Sequence, residues 1–138
     1  MILARIRKKD IVKKVKRNVL VARKEILATM LLYEEIQSPL PASYFQLFEK
    51  KRKEGVVIKR LGFGKKQDCD TLKERIGTVK ENYSFRYYTH TDKYQRLILI
   101  DRKILFFGVA KHFFQSTYKP MIELFLQYFL KYFKKGKL

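Results

Sequence analysis

Residues 93 to 108, KYQRLILIDRKILFFG, set a tyrosine, an arginine, an aspartate and a glycine at the spacing Y-x-R-x4-D-x6-G. The planar fork of Arg96 suits two oxygens of one phosphate, and Asp101 adds a carboxylate between two apolar runs. An efficient nucleophile is missing. Tyr94 carries a phenol of ordinary pKa about 10, protonated near neutral pH and in need of help before it can attack phosphorus. Phosphate recognition through Arg96 can therefore survive where hydrolysis does not. His90 lies four residues before Tyr94, but using it as nucleophile spoils the spacing to Asp101, and a bystander in a polar turn is the plainer reading.

Cationic and planar side chains crowd the same region. Arg86, Tyr87, Tyr88, Lys93, Tyr94 and Arg96 occupy neighbouring positions, with Lys111 just beyond, a mixture suited to phosphate contacts and base stacking. Lys13, Lys14 and Arg17 add a second basic group nearer the start of the chain. The plain alternative is that the tyrosines pack on a sheet while the lysines solvate its edge. Other chemistries find little support. There is no Gly-x-Ser-x-Gly elbow, and Asp68 and Asp70 lack the glycine and glutamate of a calcium loop. Two histidines and one cysteine, without paired carboxylates, predict no metal site, and nothing in the sequence calls for a cofactor. The glycines and lysines of GFGKKQDCD, residues 62 to 70, match neither phosphate-loop spacing.

The charge balance narrows the partner. The 138 residues carry 32 Lys and Arg against 13 Asp and Glu, a net charge of +19. Such self-repulsion is relieved by a polyanion, nucleic acid first and an anionic membrane surface or acidic protein second. The lysine-rich surface of a heat-adapted, thermophilic protein accounts for the lysines but not for the shortage of glutamate. The single Cys69 forms no intramolecular disulfide, which fits a reducing, cytoplasmic location. No apolar run approaches the roughly 20 residues of a membrane span.

These side chains need a scaffold, and the periodicity predicts a single α/β domain over residues 1–138. Ile11, Val12, Val15, Val19, Ala22 and Ile26 recur at helical steps, predicting an amphipathic helix over 10–26. ILATMLLY, 26 to 33, reads as a buried strand. Pro41 opens a helix that Gly55 caps, and VVIKRL follows as a strand, a helix-to-strand step typical of parallel α/β units. Residues 62–70 read as a loop, and 71–79 as a short helix capped by Asp70. SFRYY, RLILI and KILFFGV read as strands, the last two joined by a tight turn at Asp101 and Arg102 and placed centrally by their two apolar faces. After Pro120 the apolar residues cover more than half of a helical wheel, wider than one sheet face needs, which predicts either a deep groove or a homodimer through this C-terminal helix.

With these elements in order, the chain resembles the phospholipase D superfamily, whose motif is H-x-K-x4-D-x6-G. Asp101 and Gly108 match it in identity and spacing, Arg96 replaces lysine with charge retained, Tyr94 stands at the nucleophilic histidine and Lys111 at an asparagine. ARKEILATMLL, the helix ending in KKRKEGVVIKRL, the RLILIDRKILFFG hairpin and the aromatic terminal helix extend the resemblance over most of 20–135. They are similar to the phospholipase D-like domain carried by some archaeal transcriptional regulators. The resemblance implies a mixed, partly parallel sheet flanked by helices, one phospholipase D-like half. In that family a histidine forms a covalent phospho-enzyme and a second motif copy supplies the acid, and loss of an acid or base alone removes roughly 10²- to 10⁴-fold in rate.

The expectation is a degenerate, non-catalytic nucleic-acid-binding protein, in transcriptional regulation if the resemblance carries that far. Its contacts are Arg86, Lys93, Arg96, Lys111, Lys13, Lys14 and Arg17. Two alternatives stand beside it: a dimeric phosphodiesterase or nuclease, and a ligand-sensing or protein-interaction module. No winged-helix reader is evident ahead of the α/β region.

Overall fold

In a computed structural model the described residues are 3–138. They form one seven-stranded sheet in the order β1-β7-β6-β5-β2-β3-β4. Its strands are β1 (Leu3–Ile6), β2 (Glu25–Leu31), β3 (Val57–Phe63), β4 (Tyr83–Tyr88), β5 (Leu97–Ile100), β6 (Ile104–Val109) and β7 (His112–Ser116). β2, β3 and β4 run parallel to one another, while β5 pairs antiparallel with β2 and begins a meander through β6 and β7 that ends on β1. The mixed, partly parallel sheet is the one expected from the sequence.

Alternation along each strand divides the core into two layers. Ile26, Ile58, Phe85, Ile100 and Phe106 face a layer with α1 (Ile11–Leu20), α2 (Leu32–Gln37), α3 (Ala42–Lys53), α4 (Lys66–Thr71) and α5 (Lys73–Ile76). Leu27, Leu61, Phe63, Leu97, Leu99, Leu105 and Phe107 face α6 (Lys119–Lys135). Both faces being covered explains why LILI and ILFF are apolar throughout. On α6, Ile122, Leu126, Phe129 and Phe133 are buried and Met121, Phe125, Tyr128 and Tyr132 pack around them. Leu124 and Leu130 are its exposed apolar side chains. The wide arc is thus mostly spent on the chain's own sheet, and its width no longer calls for a partner helix. No helix among the described residues is long and apolar enough to cross a membrane.

Several boundaries differ from the sequence expectation, each for a local reason. The first helix ends at Leu20 instead of reaching Ile26, because the Asp101 carboxylate accepts the backbone N–H groups of Arg23, Lys24 and Glu25, which a continuing helix would need for its own ladder. The buried run 26–33 yields a strand only to Leu31. Leu32 then turns into α2, where its fully buried side chain fills the space over Gly62 and Gly64. Residues 62–70 are not a loop: β3 runs on to Phe63 and 66–71 are helical. Asp70 therefore lies inside α4 and caps nothing, while the next helix is cut to Lys73–Ile76 by Gly77 at φ +79°. The turn at Asp101 and Arg102 is present with φ +54° at both residues, the mirror-image turn that matches strand twist even without glycine.

Candidate functional site

The carboxyl ends of β2, β3 and β4 open on the same end of the sheet as the start of β5 and the end of β6, and segment 93–96 crosses that end. Side chains from two elements, and its own Gln95, pin it. The Tyr128 hydroxyl of α6 donates to the Lys93 carbonyl (2.6 Å) and accepts the Gln95 N–H (2.8 Å). Thr29 of β2 donates to the Gln95 carbonyl (2.7 Å) and accepts from Leu97 (2.9 Å), while the Gln95 amide bonds the carbonyls of Arg96 and Gly108 (2.9 and 2.8 Å). Burial pushes the Tyr128 phenol up to about 12, so it stays a donor through neutral pH.

Arg96 emerges from this anchored segment across Gly108. A Cβ at Gly108 would lie 3.3 Å from Arg96 Cδ, so the absence of a side chain there opens the arginine's path. The guanidinium sits 5.3 Å from the Phe113 ring centre and forms an ion pair with Glu34 in the first turn of α2. Burial lowers its pKa. The pair is 37% and 47% exposed, however, and at such exposure an ion pair contributes little and exchanges readily with another anion.

Tyr94, at the nucleophile's position, packs 5.5 Å from Phe63 in an aromatic group with Tyr88, Tyr128 and Tyr132. Burial, then the neighbouring Tyr128, raise its pKa above the ordinary phenol value, opposite to what a nucleophile needs. His90 is exposed and stands edge-on to Tyr88 at 5.1 Å.

Asp101 does not share the site with Arg96. The two lie at opposite ends of β5, about 16 Å apart at roughly 3.3 Å per residue. Its carboxylate accepts the N–H groups of Arg23 (3.0 Å), Lys24 (2.7 Å) and Glu25 (3.0 Å), tying the β5–β6 turn to the start of β2. Burial pushes this carboxyl up, but the three N–H bonds and Lys103 outweigh it and hold it below the usual range. The aspartate of the motif is here a structural clamp.

The cations named from the sequence divide among separate places. Lys93, Arg96 and Lys111, which sits in the β6–β7 turn, lie at the carboxyl end of the parallel strands. Arg86 on β4 donates to the Phe133 carbonyl (2.9 Å) and stacks 4.5 Å from the Phe133 ring, so it closes the end of α6. Lys13 and Arg17 are exposed and Lys14 half-buried on α1, across the sheet from α6. Sequence reasoning missed three cations near Arg86. Lys59 lies 5.7 Å from the Phe133 ring centre, and Lys131 and Lys135 lie 5.3 and 5.7 Å from that of Tyr132. The four-residue step from Lys131 to Lys135 beside Tyr132 was the available signal. Among the described residues no three His, Cys, Asp or Glu side chains cluster as a metal ion would require.

No protein-family model matches the chain, and no curated protein matches it. Solved structures do. An archaeal chromatin protein, TrmBL2, whose structure shows a novel mode of DNA binding, superposes with TM-score 0.74 at 16% identity, over 99% of this chain and 54% of its own. The chain thus spans about half the length of that protein. NucT from Helicobacter pylori matches with TM-score 0.66 at 13% identity, over 98% of this chain and 96% of its own. Nuc from Salmonella typhimurium, a phospholipase D family member, matches with TM-score 0.68 at 10% identity, over 98% and 94%. Matched over nearly its whole length at 10–16% identity, the chain shares the fold of these structures, one of them from a phospholipase D family member: a mixed seven-stranded sheet with helices on both faces.

Proposed function

We propose that the chain binds nucleic acid through its phosphate backbone without cutting it. The observation that carries this reading is the surplus of cations. Even if each of the 13 carboxylates neutralised one of the 32 basic side chains, 32 − 13 = 19 would remain for a polyanion. The motif supports binding over cleavage, since a half-buried tyrosine of raised pKa replaces the attacking imidazole and Arg96 keeps an exchangeable anion partner. The likeness to a DNA-binding chromatin protein points the same way, and it makes DNA the first substrate to try and a role in chromatin or transcription the first setting.

The contacts we assign are Lys93, Arg96 and Lys111 at the carboxyl end of the sheet, with Arg86, Lys59, Lys131 and Lys135 around the end of α6 and Lys13, Lys14 and Arg17 on the far layer. Cations on both layers suit wrapping or coating of a backbone more than reading of bases. End-labelled duplex and single-stranded DNA incubated with the protein test the reading: retention with intact strands supports it, whereas cleavage abolished by Tyr94→Phe or His90→Ala overturns it.

A further inference from the structure

On the α1–α5 side of the sheet, away from segment 93–96, a cavity of about 180 Å³ lies between α3, β3, α5 and β4. Phe45, Phe48, Ile58 and Ile76 give it apolar walls, and four cations reach it. Three are taken by carboxylates. Arg52 holds Glu49 through two bonds (3.0 and 2.8 Å), Lys80 holds the same Glu49 (3.2 Å), and Arg75 pairs with Glu35 (3.6 Å). Arg60 is the exception. It is only 5% exposed yet joins no ion pair among the described residues.

Arg60 feels the charge of the buried Glu35, but its direct partners are weak. Its guanidinium lies 5.0 and 5.8 Å from the ring centres of Phe45 and Phe48. One nitrogen reaches the Tyr83 hydroxyl at a long 3.4 Å and another the Met30 sulfur at 4.0 Å. The Tyr83 hydroxyl spends its own proton on the Ile76 carbonyl. A guanidinium offers five N–H donors in a fork, so donors remain. Glu35 supplies a nearby negative charge but no hydrogen bond to Arg60, so the fork's remaining N–H groups are open to an acceptor in the cavity.

We propose that this cavity binds a small organic acid: a single carboxylate held by Arg60, on a compact apolar body seated against Phe45, Phe48 and Ile76. A carboxylate matches the fork in two parallel bonds. The aliphatic and aromatic walls favour a monoanion with an apolar body over a heavily hydrated phosphate. This site is separate from the phosphate contacts proposed above and stands or falls without them.

Benzoate is the probe, titrated into the isotopically labelled full chain at moderate salt and followed by backbone amide shifts. The expected result is saturable binding with shifts confined to residues near 45–60 and 75–83. Benzamide, equal in shape but uncharged, should bind at least about ten-fold more weakly. Arg60→Met should abolish binding, and Arg60→Lys, which keeps the charge but not the fork, should weaken it. Should Arg60→Met not fold, the benzoate-to-benzamide ratio on the unaltered chain decides alone. Absence of saturation, equal affinity for benzamide, shifts spread over surface lysines, or tighter binding of phenyl phosphate than of benzoate would each overturn the proposal.

Discussion

Arg96, at the motif position of a phosphate-binding cation, is ion-paired with Glu34 in the first turn of the helix that follows β2. Glu34 is exposed, so under the proposed function a phosphate would displace it from Arg96 at little cost. Replacing it, Glu34→Gln, should free Arg96, strengthen DNA binding several-fold at low salt and leave folding stability within about 0.5 kcal/mol. Anisotropy titrations with a labelled duplex measure it. Arg96→Ala should weaken binding and reduce the salt slope by up to about one unit.

Asp101 should behave in the opposite way, important for stability and silent in binding. Asp101→Asn leaves three backbone N–H groups with a poorer acceptor and should cost about 1–3 kcal/mol at neutral pH, read from urea unfolding. The pH dependence follows from its lowered pKa. A carboxyl held below its unfolded value of about 3.9 contributes stability that is fully present above that value. That contribution disappears as pH falls through the folded value, so wild type and Asp101→Asn should converge in stability as the medium is made strongly acidic.

Gly62 lies where β3 passes under Leu32. A Cβ there would sit 2.6 Å from Leu32 Cδ2 and 2.8 Å from the Phe85 ring. Gly62→Ala should therefore destabilise by about 1–3 kcal/mol through overpacking, visible as a lowered urea midpoint at unchanged slope.

Tyr128→Phe removes the hydroxyl that accepts the Gln95 N–H and donates to the Lys93 carbonyl. The half-buried Gln95 amide loses its acceptor, at a cost of about 1–3 kcal/mol. Hydrogen exchange at Gln95 and Arg96 should rise more than exchange across α6, because the ring keeps its contacts with Phe63 and Tyr132.

The strands and their centrality were legible in the sequence because LILI and ILFF are apolar on both sides, and only a doubly covered sheet requires that. The helix-to-strand step at Gly55 and Val56 gave the parallel pair for an equally local reason. What stayed hidden depends on distant partners. The stop of α1 at Leu20 is set by a carboxylate 78 residues away from Arg23, and no periodicity within 10–26 reveals it. The turn of Leu32 into α2 is set by the bare backbone of Gly62. The edge strand Leu3–Ile6 and its neighbour His112–Ser116 are short and pair only with each other and β6, so neither carries a strong alternating signal. At the site, the motif's Arg96 and Gly108 lie against each other, whereas Arg96 and Asp101, equally prominent in the motif, lie at different ends of the sheet.

The surplus of positive charge is the centre of the account, and the salt dependence of DNA affinity tests it most directly. Binding to a duplex of about 30 base pairs, measured from 50 to 300 mM salt, should give a straight line of log affinity against log salt. Its slope should reflect several phosphates at about 0.9 per contact, be nearly independent of sequence, and leave the strands intact. An affinity that does not change across that range would contradict the account.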